Sequence, residues 1–220
     1  TSVAAVERFT LDTQAPTPPV MALGTGVANG ATAAEATQAS GVVTVQAESG
    51  ATISVVFSRG GSTVTRTLVA TGGAQAVVLA GVDLTTLGNG LIDVDATATD
   101  VAGNASAIGH TGFTLNTTTP AAAVLSLGTG VAGGATLSEA TQAGGVITAS
   151  GENGATLAVT FTGTLATVTK TLTGTGSPQA VVLTAGDVVT LGDGPVTVDA
   201  LVTNAAGNPS SPATLSFAID

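Results

Sequence analysis

The chain has 220 residues, with 14 acidic and 4 basic side chains, one His, no Cys, Trp or Tyr, and a net charge of −10. That charge excludes a nucleic-acid partner, which needs Lys and Arg to displace counterions, and the missing Cys excludes disulfides, thiolate nucleophiles and Cys-ligated metals. Mean hydropathy is positive at +0.53, yet charges, Gly and Pro break every apolar run short of the ~20 residues a membrane span needs, so no membrane insertion is expected. No signal peptide is visible at Thr1, which places any targeting information outside this segment.

The first element in chain order is Phe9-Thr-Leu-Asp12, followed by a Pro-rich stretch, Ala15-Pro-Thr-Pro-Pro19. A first strand is expected near Val20–Leu23. Apolar residues then alternate with Thr, Ser or a charge in Val43–Gln46, Ile53–Phe57, Val64–Leu68, Val77–Leu79 and Ile92–Thr99, the period-2 signature of half-buried strands. Val82–Leu87 predicts one helical turn with Asp83 as its N-cap. A last strand near Ile108–Leu115 completes a set of seven. Gly- and Asn-rich breaks separate them, at Glu48-Ser-Gly50, Arg59-Gly-Gly61, Thr71-Gly-Gly73, Leu87-Gly-Asn-Gly90 and Asp100-Val-Ala-Gly-Asn104.

From Pro120 onward the same elements return. Leu23-Gly-Thr-Gly-Val-Ala28 recurs as Leu127-Gly-Thr-Gly-Val-Ala132, an offset of 127 − 23 = 104, and Glu35-Ala-Thr-Gln-Ala39 and Gln75-Ala-Val-Val-Leu79 recur at the same offset. Residues 16–115 aligned on 120–219 without a gap give 51 identities in 100 positions. That period exceeds the ~20–50 residues of a solenoid coil and fits a whole small domain. Phe9, Phe113 and Phe217 form one periodic series, Phe57 and Phe161 another. The expected organisation is the last strand of a preceding repeat over 1–11, one unit over 12–115 and a second over 116–220. Seven short strands with turns every 8–12 residues predict an all-β fold, with two tandem immunoglobulin-like β-sandwiches arranged end to end. The Cys and Trp markers of an antibody domain are missing.

Such units, with cores of Val, Leu, Ile, Ala and two Phe, have stability margins of only about 5–15 kcal/mol. Without disulfides, the available staple is a metal ion. If the strands run alternately up and down, Asp12, the Glu48 turn and the Asp100–Asn104 turn share one pole, while Glu35 and Asp83 share the other. Oxygen ligands from three loops suit Ca²⁺, which takes about 6–8 oxygens, so the expected metal site is Asp12, Glu48, Asp100 and Asn104. The second copy offers Asn116, Glu152, Asn204 and Asn208, with a weaker ion or one that borrows Glu35 or Asp83. Asp and Asn also suit these turns through local backbone bonding. Asp93 and Asp95 point the same way from one strand and are assigned to a solvated face. His110, replaced by Thr214 in the second copy, is assigned to a strand surface.

The run Asp93-Val-Asp-Ala-Thr-Ala-Thr-Asp-Val-Ala-Gly-Asn104, followed by Phe113-Thr-Leu-Asn-Thr-Thr-Thr-Pro120, resembles the bacterial immunoglobulin-like repeats of giant type I-secreted, RTX-type surface adhesins of Gram-negative bacteria. Leu11-Asp-Thr-Gln-Ala-Pro16 matches the linker of that pattern, and the second linker departs from it at Asn116 and Thr119. The resemblance implies ligand roles for Asp12, Asp100 and Asn104, with calcium bound at linkers and poles. It also implies extracellular display on the bacterial cell surface and service as extender repeats in adhesion or biofilm formation. The expected partners are calcium ions and neighbouring repeats of the same chain, with the chain itself a monomer. The alternative is a carbohydrate- or surface-binding module using Thr-rich strands such as Thr63–Thr67. Catalysis is not expected.

Overall fold

The computed structural model describes residues 7–220 and divides the chain into two compact units, one ending at Thr117 and the other running Thr118–Asp220. Each unit is an immunoglobulin-like β-sandwich. In the first, β1 (Val20–Leu23), β2 (Val43–Gln46), β3 (Thr52–Arg59), β4 (Ser62–Val69), β5 (Gln75–Val77), β6 (Gly90–Thr99) and β7 (Gly109–Leu115) form two antiparallel sheets, ordered β1-β2-β5 and β4-β3-β6-β7. Strand alternation builds the core between them: Ile53, Val55 and Phe57 of β3 and Ile92, Val94, Ala96 and Ala98 of β6 are all fully buried. Phe57 meets Phe113 edge to face at a centroid distance of 6.5 Å and 74°, an arrangement that adds to the area the two rings bury.

The second unit repeats this with β8 (Val124–Leu127), β9 (Ile147–Ser150), β10 (Thr156–Thr162), β11 (Thr167–Thr173), β12 (Gln179–Val181), β13 (Gly194–Thr203) and β14 (Ala213–Ile219). Its sheets are β8-β9-β12 and β11-β10-β13-β14. Register is preserved as well as order. Phe57 pairs with Val64 and Val94, and Phe161, 104 residues on, pairs with Val168 and Val198. Phe161 and Phe217 pack edge to face at 6.4 Å and 78°.

Four short helices close the sandwiches: α1 (Ala33–Ala36), α2 (Gly81–Leu87), α3 (Leu137–Ala140) and α4 (Ala185–Leu191). The helical turn expected over Val82–Leu87 is α2, but its N-cap is Ala80, and Asp83 sits three residues in. From there its carboxylate accepts the Ala80 N–H at 2.6 Å, which is the N3 role in a capping box. The strand expected over Val77–Leu79 lies two residues earlier, because Leu79 leaves the sheet and its N–H donates to the Ala36 carbonyl. Of the expected strand over 1–11, residues 1–6 lie outside the described residues. Residues 7–11 carry no regular structure, with Phe9 89% and Leu11 77% exposed.

Candidate metal centre

The Asp100–Asn104 turn is built by its own sequence. Gly103 takes a left-handed φ of 96°, which glycine adopts without steric cost, and this turns Asn104 back onto Asp100. The Asn104 N–H donates to Asp100 Oδ1 and its side-chain Nδ2 donates to Asp100 Oδ2, both at 2.8 Å. Asn104 Nδ2 also donates to the Asp12 carbonyl at 3.2 Å, fastening the incoming segment to the turn. The Asn104 amide holds the Asp100 carboxyl below the usual carboxylate range. Its removal from water opposes that shift, and the N–H groups of Asn104, Gly103 and Ala102 reinforce it.

Asp12, Glu48 and Asp100 line a cleft of about 270 Å³ together with Gln14, Ala15, Pro16 and Thr17. The same three carboxylates border an adjoining hollow of about 140 Å³. Among the described residues, the ion pairs are Arg66–Asp83, His110–Asp95 and Lys170–Asp187, so none neutralises this cleft. All-oxygen donors of net negative charge match the chemistry of a hard cation. As placed, the side chains stand around the cleft rather than on one point: among the described residues, no three His, Cys, Asp or Glu groups converge enough to hold an ion alone.

The second unit presents a different pole. Asn204 Oδ1 accepts N–H groups from Ala206 at 3.1 Å and Asn208 at 3.0 Å, and the Asn208 side chain at 3.4 Å. Asn204 Nδ2 donates to the Thr118 carbonyl at 2.9 Å. Glu152 borders a hollow of about 290 Å³ whose other walls include Ala121, Ala122 and Val124. Asn116 belongs to the first unit, where its N–H donates to the Ala31 carbonyl at 2.9 Å.

Glu35 and Asp83 serve structure. Glu35 Oε2 accepts the N–H and hydroxyl of Thr32, both at 2.9 Å, while the Thr32 hydroxyl accepts the Glu35 N–H. Asp83 is 8% exposed and pairs with Arg66. The sequence reading missed this pairing of β4 with α2, which the second unit repeats as Lys170–Asp187 at 2.5 Å. Burial pushes the Asp187 carboxyl up, but the Lys170 ammonium and the N–H and hydroxyl of Thr184 outweigh it, and the group titrates below its ordinary range. The other missed pairing is on the outer face of β6 and β7, where His110 Nδ1 lies 2.7 Å from Asp95 Oδ1. In the second unit, the hydroxyl of Thr214 donates to Asp199 Oδ1 at 3.0 Å in the same place. Neither pairing has a periodic signal in the sequence: Arg66 and His110 are replaced by Lys170 and Thr214 one repeat length on.

These features define a class, the tandem immunoglobulin-like sandwich. No family model matches the chain, and no curated protein matches it. Among solved structures, the chain is similar to a tetra-tandem repeat from the extending region of a large adhesion protein, at 21% identity and a TM-score of 0.35, over 96% of this chain and 50% of that one. It is also similar to part of a 1.5-MDa bacterial ice-binding adhesin, at 22% identity and a TM-score of 0.41, over 92% of this chain and 65% of that one. The FN1–FN3 domains of chicken CNTN1 align at 10% identity and a TM-score of 0.43, over 92% and 68%. The chain thus spans half the length of the first and under two thirds of the second.

Proposed function

We propose that this chain is a stretch of extender repeats from a bacterial cell-surface adhesin, with calcium bound at the incoming pole of its first unit. The observation that carries the spacer reading is the duplication itself. One seven-strand sandwich is built twice, with the same sheet order and pairing register on 51 identities per 100 positions. The repeated feature is the rigid body, and rigid bodies in series add length. Displayed at the cell surface, such units hold a distal binding region away from the cell, for adhesion or biofilm formation.

Calcium is supported by the three carboxylates around one cleft with no cationic side chain paired to them among the described residues. A bound ion would offset their mutual repulsion and tie residues 12–17 to the turns at Glu48 and Asp100. Asp12, Glu48 and Asp100 would supply ligands, with Asn104 holding Asp100 in place. Extracellular sites of this kind have Kd values of about 10⁻⁴–10⁻³ M. At tenfold excess over Kd, the ion would stabilise its unit by about 1.4 kcal/mol, which raises the Tm of a domain this size by roughly 5–10 °C.

Calorimetry of the chain in calcium and in EGTA tests this. A rise of that size in one of the two unfolding transitions is expected, and Asp100→Asn should abolish most of it. Identical melting in both buffers would remove calcium from the reading and leave a plain spacer.

A further inference from the structure

The two poles differ in kind: Asp12 and Asp100 of the first are Asn116 and Asn204 in the second, while in the first Asn104 Nδ2 already reaches the Asp12 carbonyl. At position 100 the first unit has a carboxylate, which can only accept hydrogen bonds. At the corresponding position the second unit has Asn204, whose Nδ2 donates to the Thr118 carbonyl at 2.9 Å. We infer that the second unit fastens its incoming segment with the Asn204 amide in place of a cation, so that its pole holds no calcium and keeps its stiffness when calcium is withdrawn. This inference rests on the calcium reading of the first unit.

The donor chemistry excludes Asn204 as a ligand. Its Oδ1 already accepts three N–H groups, while a carbonyl oxygen has two lone pairs. Its nitrogen is directed at Thr118, and Ca²⁺ takes oxygen ligands. Glu152 is the one carboxylate bordering the hollow along the incoming segment, whose other walls are Ala121, Ala122, Val124, Ser150, Gly151 and Gly176. A single carboxylate does not meet a requirement of about 6–8 oxygens. The amide supplies instead a hydrogen-bond donor between the turn and the incoming backbone carbonyl.

Backbone ¹⁵N relaxation of the intact two-unit chain, in calcium and in EGTA, tests this residue by residue. Order parameters across 12–17 should rise with calcium. Those of Thr118, Thr119, Ala121 and Ala122 should stay near the rigid value of about 0.85 in both buffers. Asn204→Asp keeps the acceptor for the Ala206 and Asn208 N–H groups but removes the donor. In EGTA it should drop the 118–122 values below about 0.6, while the amide signals of β8–β14 stay dispersed. The inference is overturned if calcium shifts the wild-type amides of 118–122 and 204–208 saturably, or if Asn204→Asp leaves 118–122 rigid in EGTA. Should calcium act on neither pole, the calcium reading of the first unit fails, and the Asn204→Asp result alone decides whether the amide clasp exists.

Discussion

Arg66 and Lys170 occupy the same place in the two units, each anchoring β4 or β11 to the first turn of the following helix through Asp83 or Asp187. Two of the chain's four cations are therefore committed to the same structural task. Arg66→Lys reproduces the second unit and should change stability by no more than about 0.5 kcal/mol. Arg66→Ala leaves the poorly exposed Asp83 carboxylate with the Ala80 N–H and should cost about 1–3 kcal/mol; urea unfolding of the two variants measures both. His110 is the only histidine, so its ring protons give a single NMR titration. The hydrogen bond to Asp95 raises its pKa from the usual 6.5, desolvation opposes the rise, and the charges of Asp95 and Asp93 add to it. A group raised on folding stabilises the fold fully below its unfolded pKa, and that contribution is lost as pH climbs through the folded value. The NMR midpoint should therefore lie above 6.5, and His110→Thr, with the hydroxyl of the second unit, should flatten the pH dependence of stability near neutrality. A midpoint at or below 6.5 would contradict the pairing.

At the level of elements, the repeat supplies its own controls. Thr184 caps α4, accepting the Asp187 N–H at 3.1 Å and donating its hydroxyl to Asp187 Oδ2 at 2.8 Å. Ala80 begins α2 with nearly the same backbone angles, −93° and 161° against −86° and 163°, but has no oxygen to offer. Ala80→Thr should therefore stabilise the first unit by about 1 kcal/mol, read as a higher midpoint in denaturant; destabilisation would mean that the two helix starts are not equivalent. The strands were legible in the sequence because β2, β3 and β6 alternate faithfully between core and surface. The caps were less so. Glu35 and Asp83 lie in α1 and α2; the capping-box spacing Thr32-Ala-Ala-Glu35 and the N-cap reading of Asp83 pointed to structure, while their acidity equally suited a ligand. The pairing of residue 66 with 83 crosses 17 positions and leaves no periodic trace. That Asp12, Glu48 and Asp100 border one cleft was legible, because loops of a sandwich whose strands run alternately up and down alternate between poles. The Asn204 clasp was not, since Asn reads equally as a weakened ligand and as a donor.

For the whole molecule, the gapless offset of 104 was the most informative feature of the sequence, because a duplicated register implies a duplicated fold. Among the described residues, no helix is long and apolar enough to cross a membrane. The central claim is that length is what these units supply, and small-angle X-ray scattering in calcium measures it directly. A ten-residue strand at ~3.3 Å per residue, with loops at both poles, makes a unit roughly 40 Å long, so two in series should give a radius of gyration of about 24 Å. A value near 17 Å, that of one compact 220-residue globule, would mean the units fold back on each other, and the spacer account would be wrong.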